Sequence, residues 1–326
     1  MIPVIAFGEA LVDMLSSRLG DAAGPESFTP YAGGAPANVA VACARLGVPS
    51  RFLGMVGADR FGAFLIDELR AHGVDTTGVV TTDAARTALA FVSRDEAGER
   101  TFDFYRPPAA DLLYRLEHLP AGAFGEPALV HLCSNSLTEE GIAETTLALA
   151  DIANRAGCLV SVDANLRDSL WPHGRVDIGR VTALLDRAQL IKLSREELET
   201  LRGDHPADAW LSQRLAAEAK LIVITDGPNP VRAHRLGGCL EIVPPAVRAV
   251  DTTAGGDAFI GGLLAALAEA DVDAAGFARW CEDTAGLTRA VTLACRCGAH
   301  AVARPGAYAA LPSRGDLDML RESIRD

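Results

Sequence analysis

Lysine is scarce in this chain of 326 residues, because only Lys192 and Lys220 are lysines among its 30 basic residues. Neither lysine follows a glycine, so the phosphate-binding sequence G-x-x-x-x-G-K-[ST] is absent. No two of the 31 glycines are separated by a single residue. That excludes the G-x-G-x-x-G fingerprint of dinucleotide-binding proteins and the glycine loop of protein kinases. Any phosphate group that this chain binds is therefore expected at a different kind of loop.

Positive charge is also in deficit, since 43 acidic residues against 30 basic ones give a formal net charge of −13. An acidic surface repels phosphates, so we expect no nucleic-acid partner and no binding to an anionic membrane. No charge-free run of 18 apolar residues is present, which argues against a membrane span. The first residues lack a basic segment and carry Glu9 and Asp13, so a cleaved signal peptide is not expected. Seven dispersed cysteines do not form a disulfide framework and favour the reducing cytoplasm.

Short apolar segments alternate with longer helical patterns along most of the chain. The predicted strands are residues 2–7, 51–56, 129–133, 158–162, 190–193 and 221–225. The predicted helices are residues 35–46, 61–72, 138–155, 176–187, 195–202, 208–218, 254–269 and 273–297. Strands separated by helices indicate βαβ units, and hence a mostly parallel sheet covered by helices on both faces.

Residues 87–105 interrupt this alternation. Two segments of alternating polarity, 87–93 and 101–105, flank a turn over residues 94–99 and predict a β-hairpin. Residues 11–15 and 27–31 are candidates for further strands of the same small sheet. Such a sheet is either a lid that closes over a site or an edge sheet with no gating role.

The segment Asp251-Thr-Thr-Ala254-Gly255-Gly256-Asp257 precedes a strongly helical apolar run. Small residues at 254–256 would present consecutive backbone N–H groups at a helix N-terminus, which binds anions without a lysine. Asp257 would lie beside that site, where its carboxylate could accept a proton from an attacking hydroxyl. The alternative is a tight turn followed by an acidic residue that complements the helix dipole.

A second segment, Gly33-Gly34-Ala-Pro36-Ala-Asn38, also opens a predicted helix. Proline suits the first turn of a helix. The amide of Asn38 would point toward whatever binds at the paired glycines. Helix-initiation chemistry alone is the alternative explanation for this segment.

These two segments resemble the two signature sequences of the PfkB (ribokinase-like) family of carbohydrate kinases, and the resemblance extends along essentially the whole chain. It implies a three-layer α/β fold with a mostly parallel central sheet, flanked by helices and carrying a small β-sheet lid. The whole chain, 1–326, would be a single kinase domain with lid segments at about 11–31 and 87–105. The implied reaction is the ATP-dependent, Mg²⁺-requiring phosphorylation of a sugar.

The resemblance also implies roles for matching residues. Asp257 would be the catalytic base, with an anion-binding site made by Ala254, Gly255 and Gly256, although the family more often has glycine at position 254. Asp13 would accept hydrogen bonds from sugar hydroxyls, in a pocket lined by Gly33, Gly34 and Asn38. Glu197 would hold Mg²⁺ through water, unless it belongs to the solvated face of an acidic helix. The implied nucleotide contacts are Lys192, Ser194, Thr225, Gly227, Cys295 and Gly298, although Asn is common in the family at positions 194 and 295. A K⁺ site near Asp251 and Thr253 is a further possibility that the resemblance raises.

Three local segments resemble bacterial fructokinases in particular: Phe104-Tyr105-Arg106 with Ala110-Asp111, Asp163-x-Asn165-Leu166-Arg167, and Leu170-Trp171-Pro172. The implied sugar ligands are Arg106, Asp163, Asn165 and Arg167. The expected reaction converts D-fructose into fructose 6-phosphate. The 2-keto-3-deoxygluconate kinases have similar segments, and a guanidinium binds hydroxyls or a carboxylate equally well.

A catalytically silent sugar-binding protein on the same fold is the alternative from another class. The presence of both Asp257 and the small residues before it argues against that alternative. Exposed edges of the lid would also allow two subunits to pair as a homodimer.

Overall fold

The computed structural model describes residues 1–19, 25–94, 100–106 and 108–323. In chain order the strands are β1 (Val4–Phe7), β2 (Leu11–Leu19), β3 (Phe28–Gly33), β4 (Ser50–Gly57), β5 (Asp75–Thr82), β6 (Leu89–Arg94), β7 (Arg100–Tyr105), β8 (Leu129–Cys133), β9 (Leu159–Asp163), β10 (Leu190–Ser194), β11 (Leu221–Asp226), β12 (Asn229–Arg235) and β13 (Gly238–Ile242). The helices are α1 (Ala35–Arg45), α2 (Arg60–Ala71), α3 (Glu140–Arg155), α4 (Ile178–Leu185), α5 (Arg195–Arg202), α6 (Ala207–Ala216), α7 (Gly255–Glu269), α8 (Ala274–Glu282), α9 (Thr284–Val302) and α10 (Arg314–Ser323).

The large sheet has nine strands in the order β13-β12-β11-β10-β9-β8-β1-β4-β5. The seven strands from β11 to β5 are parallel, whereas β12 and β13 add an antiparallel edge. Every residue of β1, β8 and β9 is buried, because helices cover both faces of the sheet. The predicted mostly parallel sheet is confirmed.

Two apolar clusters lie on opposite faces of this sheet and form the core. One contains Val39 of α1, Leu263 of α7 and Val291 of α9. The other contains Leu149 of α3 and Leu184 of α4, together with residues of α5 and α6. The result is three layers, helix on sheet on helix, as the sequence predicts.

A second sheet of four strands has the order β3-β2-β6-β7. The side chains alternate across it, so Leu11, Asp13, Phe102 and Phe104 all face the cavity described below. The predicted small sheet is confirmed. Most of its predicted turn at 94–99, residues 95–99, lies outside the described residues, as do residues 20–24.

Several elements differ from the prediction. The helix predicted over residues 273–297 is two helices, because Asp283 leaves helical geometry (φ −71°, ψ 92°) and caps α9 by accepting a 3.1 Å hydrogen bond from the N–H of Ala285. Strand β5, with sequence DTTGVVTT, was not predicted because its threonines are polar. The edge strands β12 and β13 and the helix α10 were also missed; much of β12 and β13 is solvent-exposed and lacks a continuous apolar run.

Candidate active site

A cavity of about 410 Å³ opens at the carboxyl ends of the parallel strands, between the small sheet and the N-terminus of α7. Ligand sites of open α/β sheets lie at this edge. Fifteen of the residues predicted for the site line the cavity: Asp13, Gly34, Asn38, Arg106, Asp163, Asn165, Arg167, Lys192, Ser194, Glu197, Thr225, Thr253, Ala254, Gly256 and Asp257. Segments separated by more than 200 residues therefore meet at one place.

The N-terminus of α7 forms one wall of this cavity. Ala254 caps the helix in the left-handed region (φ 56°, ψ 7°), so the next residues direct their N–H groups out of the first turn. A Cβ atom on Gly256 would lie 3.0 Å from the Nζ of Lys192. Glycine at this position therefore lets a buried ammonium group approach the helix terminus, and both features favour an anion.

Asp257 lies in the first turn of α7 with only 9% of its surface exposed. Its Oδ2 accepts a 2.7 Å hydrogen bond from the side-chain amide of Asn38. Burial raises the pKa of Asp257 to about 6, with the charge of Asp163 acting in the same direction. The bond from Asn38 and the charge of Lys192 oppose this rise. The result is a carboxylate that is ionised at neutral pH and still has appreciable affinity for a proton.

Lys192 carries a buried ammonium group in the middle of β10. Its Nζ donates a 2.8 Å hydrogen bond to Oδ2 of Asp163 in the neighbouring strand β9. Burial acts to lower the pKa of Lys192, but the charges of Asp163 and Glu197 outweigh it and hold that pKa above its ordinary value. Lys192 therefore carries a positive charge beside the first turn of α7.

Ser194 and Glu197 form a capping box at the start of α5. The Ser194 hydroxyl accepts a bond of 3.1 Å from the Glu197 N–H, and Glu197 Oε2 accepts a bond of 2.7 Å from the Ser194 N–H. Its Oε1 accepts a further bond of 2.8 Å from the N–H of Leu166. Glu197 is 8% exposed, so it does not belong to a solvated face. Burial raises its pKa, an effect that the charge of Lys192 opposes.

Gly33 and Gly34 bring the small sheet close to the end of β1. A Cβ atom on Gly33 would lie 2.5 Å from Oδ2 of Asp13, so glycine there makes room for this carboxylate. Gly33 itself does not line the cavity. Gly34 has φ 103°, and a Cβ atom on it would collide with the carbonyl oxygen of Glu9.

The predicted sugar ligands after β9 lie in a tight turn. Asn165 adopts the left-handed conformation (φ 39°), and its N–H donates a 3.1 Å bond to Oδ1 of Asp163. Both oxygens of Asp163 are thus engaged within the protein, one by this N–H and the other by Lys192. Arg167 is exposed, lines the cavity and lowers the pKa of Asp257 through its charge.

Arg106 is almost fully buried, at 1% exposure. Its Nε donates a 2.8 Å bond to Oδ2 of Asp111, and one terminal nitrogen donates a 2.7 Å bond to the carbonyl oxygen of Asn135. The guanidinium lines the cavity but is held by protein groups, which sequence reasoning did not anticipate.

Six predicted residues do not line the cavity: Gly33, Gly227, Asp251, Gly255, Cys295 and Gly298. Cys295 is 3% exposed and packs in the core, so its thiol has almost no surface to offer a nucleotide. A Cβ atom on Gly298 would lie 3.2 Å from the carbonyl oxygen of Gly255, which marks close packing of α9 on α7.

Asp251 joins two loops next to the cavity. Its Oδ1 accepts a 3.0 Å bond from the N–H of Thr253, and its Oδ2 accepts a 2.7 Å bond from the N–H of Gly306. Thr253 lines the cavity, and its buried hydroxyl has no hydrogen-bond partner in the part of the chain that is described.

The buried polar residues of the cavity that were not predicted are Glu9 and Asn135. Both are buried, and the amide of Asn135 donates a 3.0 Å bond to Oε1 of Glu9. The available signal was their position, because each polar residue follows closely after a wholly buried strand.

Comparisons with known proteins agree with this geometry. The profile of the pfkB family carbohydrate kinases matches residues 1–314. Probable fructokinase-7 of Arabidopsis thaliana is 39% identical over 332 residues, covering 99% of this chain and 93% of the relative. The crystal structure of fructokinase with bound ATP from Xylella fastidiosa is 42% identical, with a TM-score of 0.93 and 99% of both chains covered.

A second crystal structure is that of fructokinase from Vibrio cholerae O395 in a form with bound fructose, ADP and calcium ion. It is 32% identical, with a TM-score of 0.86 and 98% of both chains covered. Within the described ranges, no helix of this chain is both long enough and apolar enough to cross a membrane. The profile match, the full-length relatives and the cavity around Asp257 agree, and the chain belongs to the pfkB family of carbohydrate kinases.

Proposed function

We propose that this carbohydrate kinase transfers the γ-phosphoryl group of ATP to the primary hydroxyl of D-fructose, giving fructose 6-phosphate. The observation that carries the proposal is the position of Asp257, a buried carboxylate next to both a helix N-terminus and the ammonium of Lys192. Relatives that match almost the whole chain are named fructokinases, which supports fructose as the acceptor.

Asp257 is the general base in this proposal. It accepts the proton of the sugar hydroxyl as the hydroxyl oxygen attacks the γ-phosphoryl group. A pKa of about 6 leaves Asp257 ionised at neutral pH and basic enough to take that proton. Asn38 holds Oδ2 of the carboxylate, which leaves Oδ1 to face the substrate.

The N-terminus of α7 and Lys192 stabilise the charge of the phosphoryl group. In a largely buried site the N–H groups at residues 255 and 256 and the ammonium group act through a low dielectric, where preorganised donors are most effective. Asp163 orients Lys192 through its Oδ2, and its oxygens keep lone pairs that can accept a bond from a sugar hydroxyl.

ATP fits this arrangement because glycine at 256 leaves space where a Cβ atom would otherwise approach Lys192. Ser194 and Thr225, near the ends of β10 and β11, also line the cavity and are proposed nucleotide contacts.

Mg²⁺ would be held by Glu197 through water. Both Glu197 oxygens already accept backbone hydrogen bonds, and the described residues contain no cluster of three or more His, Cys, Asp or Glu side chains suited to a metal ion. Bound with ATP, Mg²⁺ would neutralise phosphate charge.

Asp251 and Thr253 are proposed to lie near a K⁺ site. Replacing K⁺ by Na⁺ in the kinase assay tests this proposal.

Asp13 is the proposed acceptor for sugar hydroxyls, and the small sheet that carries it is the proposed lid of one domain spanning residues 1–326. Closure would exclude water, which otherwise competes for the phosphoryl group.

The outer face of this sheet carries the neighbouring rings of Phe28, Phe91 and Tyr105, with Tyr105 exposed. We place the homodimer contact on this face.

The seven cysteines are free thiols, which suits the cytoplasm as the proposed location.

The test is the rate of ADP release with a panel of ketoses, aldoses and sugar acids at fixed ATP and Mg²⁺. The proposal expects the highest kcat/KM for D-fructose. A tenfold higher kcat/KM for 2-keto-3-deoxygluconate would replace fructose by that acid and would leave the kinase chemistry at Asp257 intact.

A further inference from the structure

The sugar end of the cavity contains more carboxylates than the proposed reaction uses. Glu9 and Asp13 line this end, and Asp111 lies behind Arg106. Glu9 follows β1 and Asn135 follows β8, whereas Lys192 lies in β10, which is separated from β8 by β9. Lys192 is therefore not close enough in the sheet order to pair with the carboxylates at the end where the sugar would lie.

The charge of Arg106 is paired within the protein. Asp111 Oδ2 lies 2.8 Å from its Nε and 2.6 Å from a terminal nitrogen, and the other terminal nitrogen donates to the carbonyl oxygen of Asn135. The guanidinium and Asp111 are both almost fully buried, so each neutralises the other in a low dielectric. Glu9 adds a second carboxyl group to the same cluster through its bond from Asn135, and the charge of Arg106 and this bond oppose the rise that burial causes in the pKa of Glu9.

An unpartnered acceptor points to the kind of ligand that this end would take. Asn135 is 5% exposed and lines the cavity, and its Oδ1 has no hydrogen-bond partner among the described residues. A sugar hydroxyl donates a hydrogen bond to such an atom, whereas an ionised carboxylate cannot.

We infer that Glu9 and Asp111 are selectivity residues: they neutralise Arg106, so that the sugar end of the cavity accepts a neutral polyhydroxyl substrate and rejects one that carries a carboxylate there. This inference rests on the proposed function, because it concerns the selectivity of the same sugar site. It gives a physical reason for a preference that local sequence resemblance left open, since Arg106 suited either ligand.

Arg167 does not provide the missing cation at this end. Its side chain is exposed, so solvent screens its charge, whereas Glu9 and Asp111 are buried. A substrate with its primary hydroxyl at Asp257 would bring a carboxylate on its other end toward Glu9 and Asp111. Repulsion between unit charges about 6 Å apart at a dielectric of about 20 lowers affinity by about tenfold to a hundredfold.

The test compares kcat/KM for D-fructose and for 2-keto-3-deoxygluconate in the wild-type enzyme and in Glu9→Gln and Asp111→Asn. Glutamine keeps the size of Glu9 and can still accept the bond from Asn135. Asp75→Asn is the matched control, because Asp75 also pairs with an arginine, at 2.7 Å from Arg51, but lies where β5 begins, at the opposite end of the strands. We expect Glu9→Gln and Asp111→Asn to shift the ratio toward the acid by at least tenfold, and Asp75→Asn to leave it unchanged.

A shift below tenfold in folded Glu9→Gln would overturn the inference, and so would an equal shift in Asp75→Asn. Asp111→Asn breaks a buried ion pair and is at risk of unfolding, so Glu9→Gln alone decides in that case. A wild-type enzyme that prefers the acid would instead overturn the assignment of fructose. The two failures are therefore distinguishable.

Discussion

The side-chain amide of Asn38 donates a hydrogen bond of 2.7 Å to Oδ2 of Asp257, a residue 219 positions later in the chain. The bond joins the first turns of α1 and α7, which pack against each other beneath the cavity. It fixes the orientation of the proposed base and stabilises its ionised form. The two signature segments of the sequence therefore form parts of one site.

Asn38→Ala should move the acid limb of the pH profile of kcat/KM to higher pH. Asp257 must be ionised to accept a proton, so activity falls as pH drops through its pKa of about 6. The bond from Asn38 lowers that pKa, and its removal should make the loss begin at higher pH. Asn154→Ala, which removes partly buried bonds to the carbonyl oxygen of Arg187 and from Gln189 outside the cavity, is the control. An acid limb that stays in place or moves to lower pH would contradict the assignment.

Asp13→Ala should raise the KM for the sugar while the KM for ATP stays near its original value. A hydrogen bond to a charged group contributes about 1.5–3 kcal/mol, which corresponds to about a 10- to 150-fold change in affinity. Gly33→Ala should act in the same direction, since its Cβ atom would approach Oδ2 of Asp13. Gly315→Ala, whose nearest neighbour would be 3.9 Å away, serves as the control. Steady-state kinetics in which only the ATP KM changes would refute this placement.

Lys192→Met should reduce kcat and raise the KM for ATP, with a smaller effect on the KM for the sugar. Methionine keeps a similar length but removes the charge beside α7. It also leaves Asp163 buried without its partner, so a loss of about 3–5 kcal/mol in the free energy of unfolding is expected. The kinetics are therefore measured at a temperature below the thermal denaturation midpoint of the variant. Lys220→Met is the surface control. An unchanged ATP KM and kcat would remove Lys192 from the phosphate site.

Ala254→Gly should stabilise the protein without loss of activity. Ala254 has φ 56°, and a left-handed residue with a Cβ atom costs about 1–2 kcal/mol. Glycine also increases the conformational entropy of the unfolded chain, which lowers the free energy of unfolding by about 0.4–1 kcal/mol. A net increase of about 0.5–1 kcal/mol in the free energy of unfolding is therefore expected. Urea denaturation measures it, and Ala254→Val should be destabilising. Lower stability of the glycine variant would show that the left-handed conformation carries no strain here.

Local patterns in the sequence were sufficient to predict the parallel strands and the small sheet, because buried strands and hairpins have distinct periodicities. They were also sufficient to place Asp13, Asn38 and Asp257 in one site, through the family resemblance. Strand β5 escaped detection because its threonines are polar, although the chain buries part of it at the sheet edge.

The partners of charged side chains were beyond the reach of the sequence. The predicted sugar ligand Arg106 lines the cavity and is also held by Asp111 and by the carbonyl oxygen of Asn135, which lies 29 positions away and outside any local pattern. Glu9 was not predicted as a site residue, because its hydrogen-bond partner Asn135 lies 126 positions away in the chain. Cys295 was expected near the nucleotide, but packing of α9 on α7 buries it in the core.

The most direct test is the rate of fructose 6-phosphate formation by Asp257→Asn compared with the wild-type enzyme at saturating fructose, ATP and Mg²⁺. Asparagine keeps the shape of the side chain and can still accept the bond from Asn38, but it cannot take the hydroxyl proton. A neutral amide also avoids burying a charge, so the variant should remain folded with substrate affinities close to those of the wild type. The account predicts a fall in kcat of about 10²- to 10⁴-fold. Turnover within about tenfold of the wild type would contradict the assignment of Asp257 as the base.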